Sequence, residues 1–202
     1  MTLSGGHPLA GPVTFERLKW PARTDRLTFR PAQVADLPAV FAYRSLEDVG
    51  QWMPGRPTSY DEWLLLMDTE AMGRTMVLEL DGTVIGDLYL HVENGWAQYE
   101  VRDGGVNTQG EIGWCLSPDH QGRGYVTEAV TELVRICFED LGIRRLAAVA
   151  FADNIPSLRI MEKLGMRREA LFRKESLHRD LGWVDSVTYA LLVDDWREGL
   201  PG

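Results

Sequence analysis

Between Glu111 and Thr127 the chain reads EIGWCLSPDHQGRGYVT, an apolar strand, a Ser-Pro turn, a Gly-rich loop and a helix start without interruption. Gln121, Gly122, Arg123 and Gly124 form the loop, and Tyr125, Val126 and Thr127 open the helix. The first N–H groups of a helix lack intrahelical partners and carry partial positive charge, which suits a phosphate or pyrophosphate. Glycines let the backbone approach an anion and adopt positive φ, and Arg123 adds a full charge. The pattern points to a phosphorylated ligand. It is not a P-loop, which needs Lys-Ser or Lys-Thr after the last glycine where this chain has Tyr-Val-Thr. Nor are there the three spaced glycines and the acidic strand end of a dinucleotide fingerprint.

A second unit follows. The apolar strand Leu146 to Phe151 ends at Asp153-Asn154, a short helix begins, and Leu164-Gly165-Met166 closes it. With Gln121, Gly124 and Val126 read as Gln-x-x-Gly-x-(small), and Asn154, Ser157 and Lys163-Leu164-Gly165 after them, the sequence resembles the GNAT superfamily of acyl-CoA-dependent N-acetyltransferases. It looks most like the branch containing the RimJ and RimL ribosomal-protein acetyltransferases. The likeness runs from about Asp25 to Trp196. It implies acetyl-CoA as cosubstrate and an amine as acceptor. Residues Gln121, Gly122, Arg123, Gly124, Tyr125, Val126 and Thr127 would cradle the pyrophosphate, and Asn154 and Ser157 would meet the pantetheine arm. The backbone N–H near Leu116 would serve the thioester oxygen. Val126 stands where the family has Gly or Ala, and Met166 where it has Phe. A homodimer is an option that the family brings and the sequence does not show.

Acetyl transfer to an amine sets three tasks: removing a proton from the ammonium, stabilising the oxyanion, and protonating the departing thiolate. Glu111, on the fourth strand, is the first choice of base; the competing reading is an ion pair with an Arg at the strand rim. Many relatives use a Tyr as acid, but that position is Met161. In the RimJ/RimL branch a Ser is proposed instead, and Ser157 occupies its place, where it could also simply cap the helix. Asp87 and His91 share a strand face and could line an acceptor pocket or pair with each other. Trp52, Met53, Arg56, Trp96 and Tyr99 lie in segments that wall the acceptor site in this fold. Arg56 or Arg102 could hold a succinyl carboxylate. A succinyl- or O-acyltransferase on the same scaffold, or an acyl-CoA-binding module without turnover, therefore stay open.

Composition narrows the partners. The 202 residues carry 30 acidic and 21 basic side chains, a formal net charge of −9, which disfavours nucleic acid and anionic membranes. No apolar run is long enough to span a bilayer. His7, His91, His120 and His178 show no metal-ligand spacing, so no metal is expected; His120 is read as shaping the phosphate loop. Cys115 and Cys137 fall in a buried strand and a buried helix face, as in a reducing cytoplasm. Cys115 could in principle carry an acyl group, but a small buried hydrophobe is the stronger reading.

These groups need a scaffold. Residues 1–21 read as a Gly/Pro-rich tail and 22–202 as one domain. Arg26–Pro31 predicts a strand, Ala35–Leu46 a helix, and Tyr60 to about Arg74 a second helix capped by Thr58 or Ser59. Met76–Leu80 and Val84–Val92 predict a hairpin across Asp81-Gly82. Glu111–Leu116 is the fourth strand, with Glu111, Gly113 and Cys115 on one face unless a bulge intervenes. Val126–Leu141 has one apolar face and Gly142 at its end. The fifth strand, a short helix and two more strands complete an α/β (α+β) fold, a mixed, largely antiparallel sheet flanked by helices.

Overall fold

The computed structural model describes Phe15 and residues 18–199. Most of the tail lies outside the described residues; its described part packs Phe15, Leu18 and Trp20 onto the core. Eight strands form one sheet in the order β1-β2-β3-β4-β5-β6-β8-β7. They are β1 (Ala22–Arg23), β2 (Thr28–Pro31), β3 (Thr75–Leu80), β4 (Thr83–Glu93), β5 (Gln109–Leu116), β6 (Arg145–Phe151), β7 (Arg167–His178) and β8 (Gly182–Leu192). Every neighbouring pair is antiparallel except β5 and β6, which run parallel. This is the mixed, helix-flanked architecture that the sequence implies.

Between β2 and β3 lie α1 (Leu37–Arg44), α2 (Glu47–Gly50), α3 (Tyr60–Leu66) and α4 (Thr69–Met72). The helix expected to run from Tyr60 to Arg74 is thus two. Ser59 caps the first through Glu62 N–H, but the chain leaves the helix at Met67 and Asp68 caps a new turn through Ala71 N–H. Only Trp63 of α3 is buried, while Leu64, Leu65 and Leu66 are exposed. Without a long apolar face, the Asp cap wins over continuation. The segment between the two expected helices likewise starts with the helical turn α2.

The crossover from β5 to β6 carries α5 (Tyr125–Arg135), whose Ala129, Val130, Leu133 and Val134 are buried against the sheet. Its continuation widens into a π turn over Ile136–Asp140, with Leu141 N–H bonded to Ile136 O, before Gly142 at φ 70° ends it. Helix α6 (Ile155–Lys163) links β6 to β7, and α7 (Val193–Arg197) follows β8. Phe29, Met76, Leu78, Ile85, Leu88, Leu133 and Leu146 are sealed in the main core, each contributing about 1.5–3 kcal/mol by leaving water. A smaller cluster of Leu37, Val40, Tyr43, Val49, Trp63, Val77 and Cys115 packs on the other face.

Candidate active site

The site begins where two strands part. β5 and β6 pair only over Gln109–Glu111 and Arg145–Ala147; beyond them each strand continues without the other. The β4–β5 register is unbroken from Gly86↔Leu116 to Glu93↔Gln109, so no bulge interrupts the alternation of faces. Ser117 N–H bonds to Ile85 O, while Leu90 N–H turns the other way, to Arg74 O on the β3 side. In an antiparallel pair the hydrogen-bonded positions alternate. The backbone groups of Trp114 and Leu116 therefore point away from β4, into the gap beside β6. One of them is used: Gln121 Nε2 donates to Leu116 O at 3.4 Å.

At one end of the gap lies the glycine loop. Gly122 and Gly124 have φ of 74° and 80°, and Gly124 is the N-cap of α5. The first intrahelical bond is Glu128 N–H to Gly124 O, which leaves the N–H groups of Tyr125, Val126 and Thr127 without helical partners. A cavity of about 400 Å³ opens here, lined by Trp114, Leu116, Gln121, Gly122, Gly124 and Lys163, among others. Tyr125 is buried, so its side chain serves the core and only its backbone faces the loop. Arg123 is absent from the cavity lining. Its carbonyl accepts from Arg26 Nη1, and Arg26 Nη2 lies 3.6 Å from where a Cβ on Gly124 would sit. Arg26 is pinned to Glu128 at 2.6 Å. It stacks on the Tyr125 ring at 4.6 Å. The local motif did not signal Arg26, which comes from far back in the chain.

At the other end a cavity of about 540 Å³ continues, sharing Trp52, Met53, Trp114, Asn154 and Ser157 with the first. Glu111 lies on its wall, with Tyr89, Trp114, Phe151 and Met161 nearby. Among the described residues Glu111 has no ion-pair partner, so the rim pairing with an Arg is not made. Burial first and Glu111 second push the Tyr89 phenol above its ordinary pKa. Asn154, not Ser157, caps α6, its side chain accepting from Ser157 N–H at 3.3 Å. The Ser157 hydroxyl borders both cavities and has no hydrogen-bond partner among the described residues.

Polar groups on the far wall are tied up locally. The strand β7 bulges between Phe172 and Ser176, with Lys174 at φ 52° and its N–H on Asp185. Such a bulge re-aims side chains. Ser176 and Ser186 both donate to one oxygen of Glu175, at 2.7 and 2.8 Å, and both line the cavity. Arg44, also on the wall, is held by both oxygens of Asp87, which Tyr43 OH joins at 2.5 Å. Asp87 is 1% exposed. Asp87 and His91 thus do not line the acceptor cavity; Asp87 is spent beneath it. Cys115, paired with Asp87 on the neighbouring strand, has its thiol pushed up to about 12 by burial and then by that carboxylate.

Of the other residues singled out, Trp52 and Met53 line the groove. Trp96 and Tyr99 are exposed and do not. Arg56 lies against Gly50 and near Glu47 at 3.7 Å, and Arg102 sits on the Tyr99 ring. His120 Nδ1 is buried without a partner among the described residues. No cluster of His, Cys, Asp and Glu among the described residues could hold a metal ion, and no described helix is long and apolar enough to cross a membrane.

A parallel strand pair that parts over a cleft, with a glycine-capped helix at its mouth, is what acyl-CoA transferases of this class are built on. The model of the acetyltransferase (GNAT) domain matches residues 26–167, and the chain belongs to that family of acyltransferases. YnaD of Bacillus subtilis (strain 168), an uncharacterized N-acetyltransferase, is 30% identical over 178 residues, 86% of this chain and 98% of its own. The alanine N-acetyltransferase of ribosomal protein uS5 from Escherichia coli (strain K12) is 31% identical over 88 residues, 44% of this chain and 45% of its own. A GNAT acetyltransferase of Bacillus anthracis superposes with a TM-score of 0.72 at 28% identity, over 85% of this chain and 98% of that one. Mycobacterium smegmatis RimJ, solved with CoA-disulfide, shares the fold with a TM-score of 0.70 at 22% identity, over 87% and 90%. The chain is RimJ/RimL-like, and acetyltransferases of this family use acetyl-CoA.

Proposed function

We propose that this chain moves the acetyl group of acetyl-CoA directly to a primary amine while both are bound. The observation that carries the reading is one continuous groove. A helix start suited to phosphate lies at one end, unpaired strand backbone in the middle, and a carboxylate in an apolar cavity at the other. Acetyl-CoA would lay its pyrophosphate on the N–H groups of residues 122–127, with Lys163 the cation at hand. Its pantetheine would run along Trp114 and Leu116 in the gap, toward Asn154.

The acceptor arrives as an ammonium and is drawn to Glu111, whose charge no neighbouring cation among the described residues cancels. Glu111 takes its proton, directly or through water, and the freed nitrogen attacks the thioester carbon. Negative charge gathers on the carbonyl oxygen, within reach of the Leu116 N–H. Collapse breaks the carbon–sulfur bond; the Ser157 hydroxyl gives its proton to the thiolate as it receives the second proton that the nitrogen sheds on becoming an amide, so it ends neutral. The cavity takes a small amine or the first residues of a protein N-terminus. Acetyl is favoured over succinyl because the one cation among the described residues of the acceptor wall, Arg44, is already neutralised by Asp87. With two buried free thiols, we place the protein in the cytoplasm.

The test is thiol release from acetyl-CoA and from succinyl-CoA with alkylamines, spermidine, amino acids and an Ala-initiated peptide, each product identified by mass. An N-acetyl product with one amine class supports the reading. Binding of acetyl-CoA without thiol release would make the chain a binding module, and a succinyl or ester product would replace acetyl-to-amine transfer.

A further inference from the structure

The groove is bordered by a short segment, residues 50–54, that puts Trp52, Met53 and Pro54 on its walls. Trp52 and Met53 border both cavities. The backbone bonds of this segment are local: Gly50 N–H to Leu46 O, Gln51 N–H to Glu47 O and Met53 N–H to Gly50 O. Among the described residues no backbone bond ties it to the opposite wall.

Two side chains of the β7–β8 turn make that tie. Arg179 donates to Gly50 O at 2.7 Å and to Met53 O at 2.8 Å, bracketing Trp52 from both sides. His178 lies 2.9 Å, through Nε2, from Gln51 O. The His178 tautomer is set locally. Its Nδ1 accepts the backbone N–H groups of Asp180 and Leu181 at 3.1 and 3.2 Å, so the proton sits on Nε2 and is given to Gln51. The His178 ring is 3% exposed. It meets the Trp52 and Phe151 rings edge-on at 5.5 and 5.2 Å, and Phe151 is on the cavity wall. The carbonyls of Gly50, Gln51 and Met53, on either side of Trp52, are therefore held by donors from one turn, more than a hundred residues away. Two of those bonds are charge-assisted.

We propose that Arg179 and His178 are positioning residues, a clasp that holds the Trp52–Met53 strap along the groove and so sets how tightly the acceptor is gripped. Neither reaches the reacting atoms. A guanidinium with two separated donors suits two carbonyls that are three residues apart, and a single ammonium does not. The clasp rests on the transfer reading for its effect on the amine, while its effect on the strap can be measured without turnover.

Arg179 is exposed on a turn, so Arg179→Ala leaves the core intact, which a native-like melting curve checks. Expected are a rise of about tenfold in acceptor KM and a kcat within about twofold of native, the split that marks lost binding and not lost chemistry. Acetyl-CoA affinity should fall about threefold, since the strap borders that half too. Amide exchange at Gly50, Gln51 and Met53 should quicken while that of β5 does not. Arg179→Lys should fall between the two. Unchanged KM, a loss confined to kcat, or full rescue by Lys would overturn the clasp. If native protein turns over no amine, the transfer reading fails separately. Exchange and acetyl-CoA affinity then decide, and both unchanged in Arg179→Ala would end the proposal.

Discussion

The two halves of the groove are made differently. The coenzyme half is built from backbone: two glycines at positive φ, the free N–H groups that open α5, and the strand edge of Trp114 and Leu116. The continuous stretch from Trp114 to Thr127 makes the end that faces the phosphates, and side chains from residues 48–53 and 154–163 close the rest. The acceptor half is built from side chains of α1, the α2–α3 segment, β4, β5, β6, α6, β7 and β8. Backbone sites demand particular φ values and tolerate many side chains; side-chain sites demand particular groups and tolerate backbone drift. If that contrast is right, changes in the two halves should separate affinity for acetyl-CoA from turnover of the amine.

The largest effect should come from Glu111→Gln. It keeps the size and removes the base, and kcat should fall about 10²–10⁴-fold while acetyl-CoA affinity holds. Calorimetry beside steady-state rates checks both. A matching loss of affinity would mean that the halves are not separable; an unchanged kcat would return the base role to water or to another group.

Gly124→Val is the counterpart on the backbone side. A β-branched residue at φ 80° costs about 1–3 kcal/mol, and its Cβ meets the Arg26 guanidinium. Acetyl-CoA should bind roughly ten- to a hundredfold more weakly, with kcat at saturation nearly kept. Equal affinity for native and variant would show that the helix start does not hold the pyrophosphate.

This contrast also explains what could be read in the chain beforehand. Gly122 and Gly124 announce positive φ, and the alternation of Glu111 to Leu116 announces a strand, because both are local rules. The spacing of Ala129, Val130 and Leu133 marks the buried face of α5 in the same way. Arg44 paired to Asp87, Tyr89 over Gly113, and the His178–Arg179 clasp depend on register and on contacts between distant elements. Asp87 illustrates the limit. Its strand face was legible, yet whether it met substrate or Arg44 depended on a helix that packs across the sheet. The helix break at Asp68 was not read from the sequence, because there an Asp cap competes with helix propensity and burial decides the outcome.

Ser157→Ala tests the seam, since this hydroxyl borders both cavities. With Asn154 supplying the cap, the helix should survive, and the loss should appear as a drop of about tenfold in kcat with acetyl-CoA affinity within about twofold. A weaker Kd with unchanged kcat would assign Ser157 to the coenzyme and leave thiolate protonation to solvent.

The smallest expected effect belongs to Cys115, and it decides between direct transfer and an acetylated enzyme. This residue borders the coenzyme half, close enough to the proposed thioester path to invite a nucleophilic role. Its thiol is pushed up to about 12, first by burial and then by Asp87. Only the thiolate attacks, and burial keeps this thiol protonated near neutral pH. A path through this thiol would speed up as rising pH forms thiolate, whereas direct transfer predicts no gain that depends on Cys115. Acetyl-CoA added without an amine should leave the intact mass of the protein unchanged, and Cys115→Ala should retain kcat within about twofold. An added acetyl group that vanishes in Cys115→Ala would make the reaction two-step and place the nucleophile on the strand itself. In that case the division between a backbone half for the coenzyme and a side-chain half for the amine would fail at its centre.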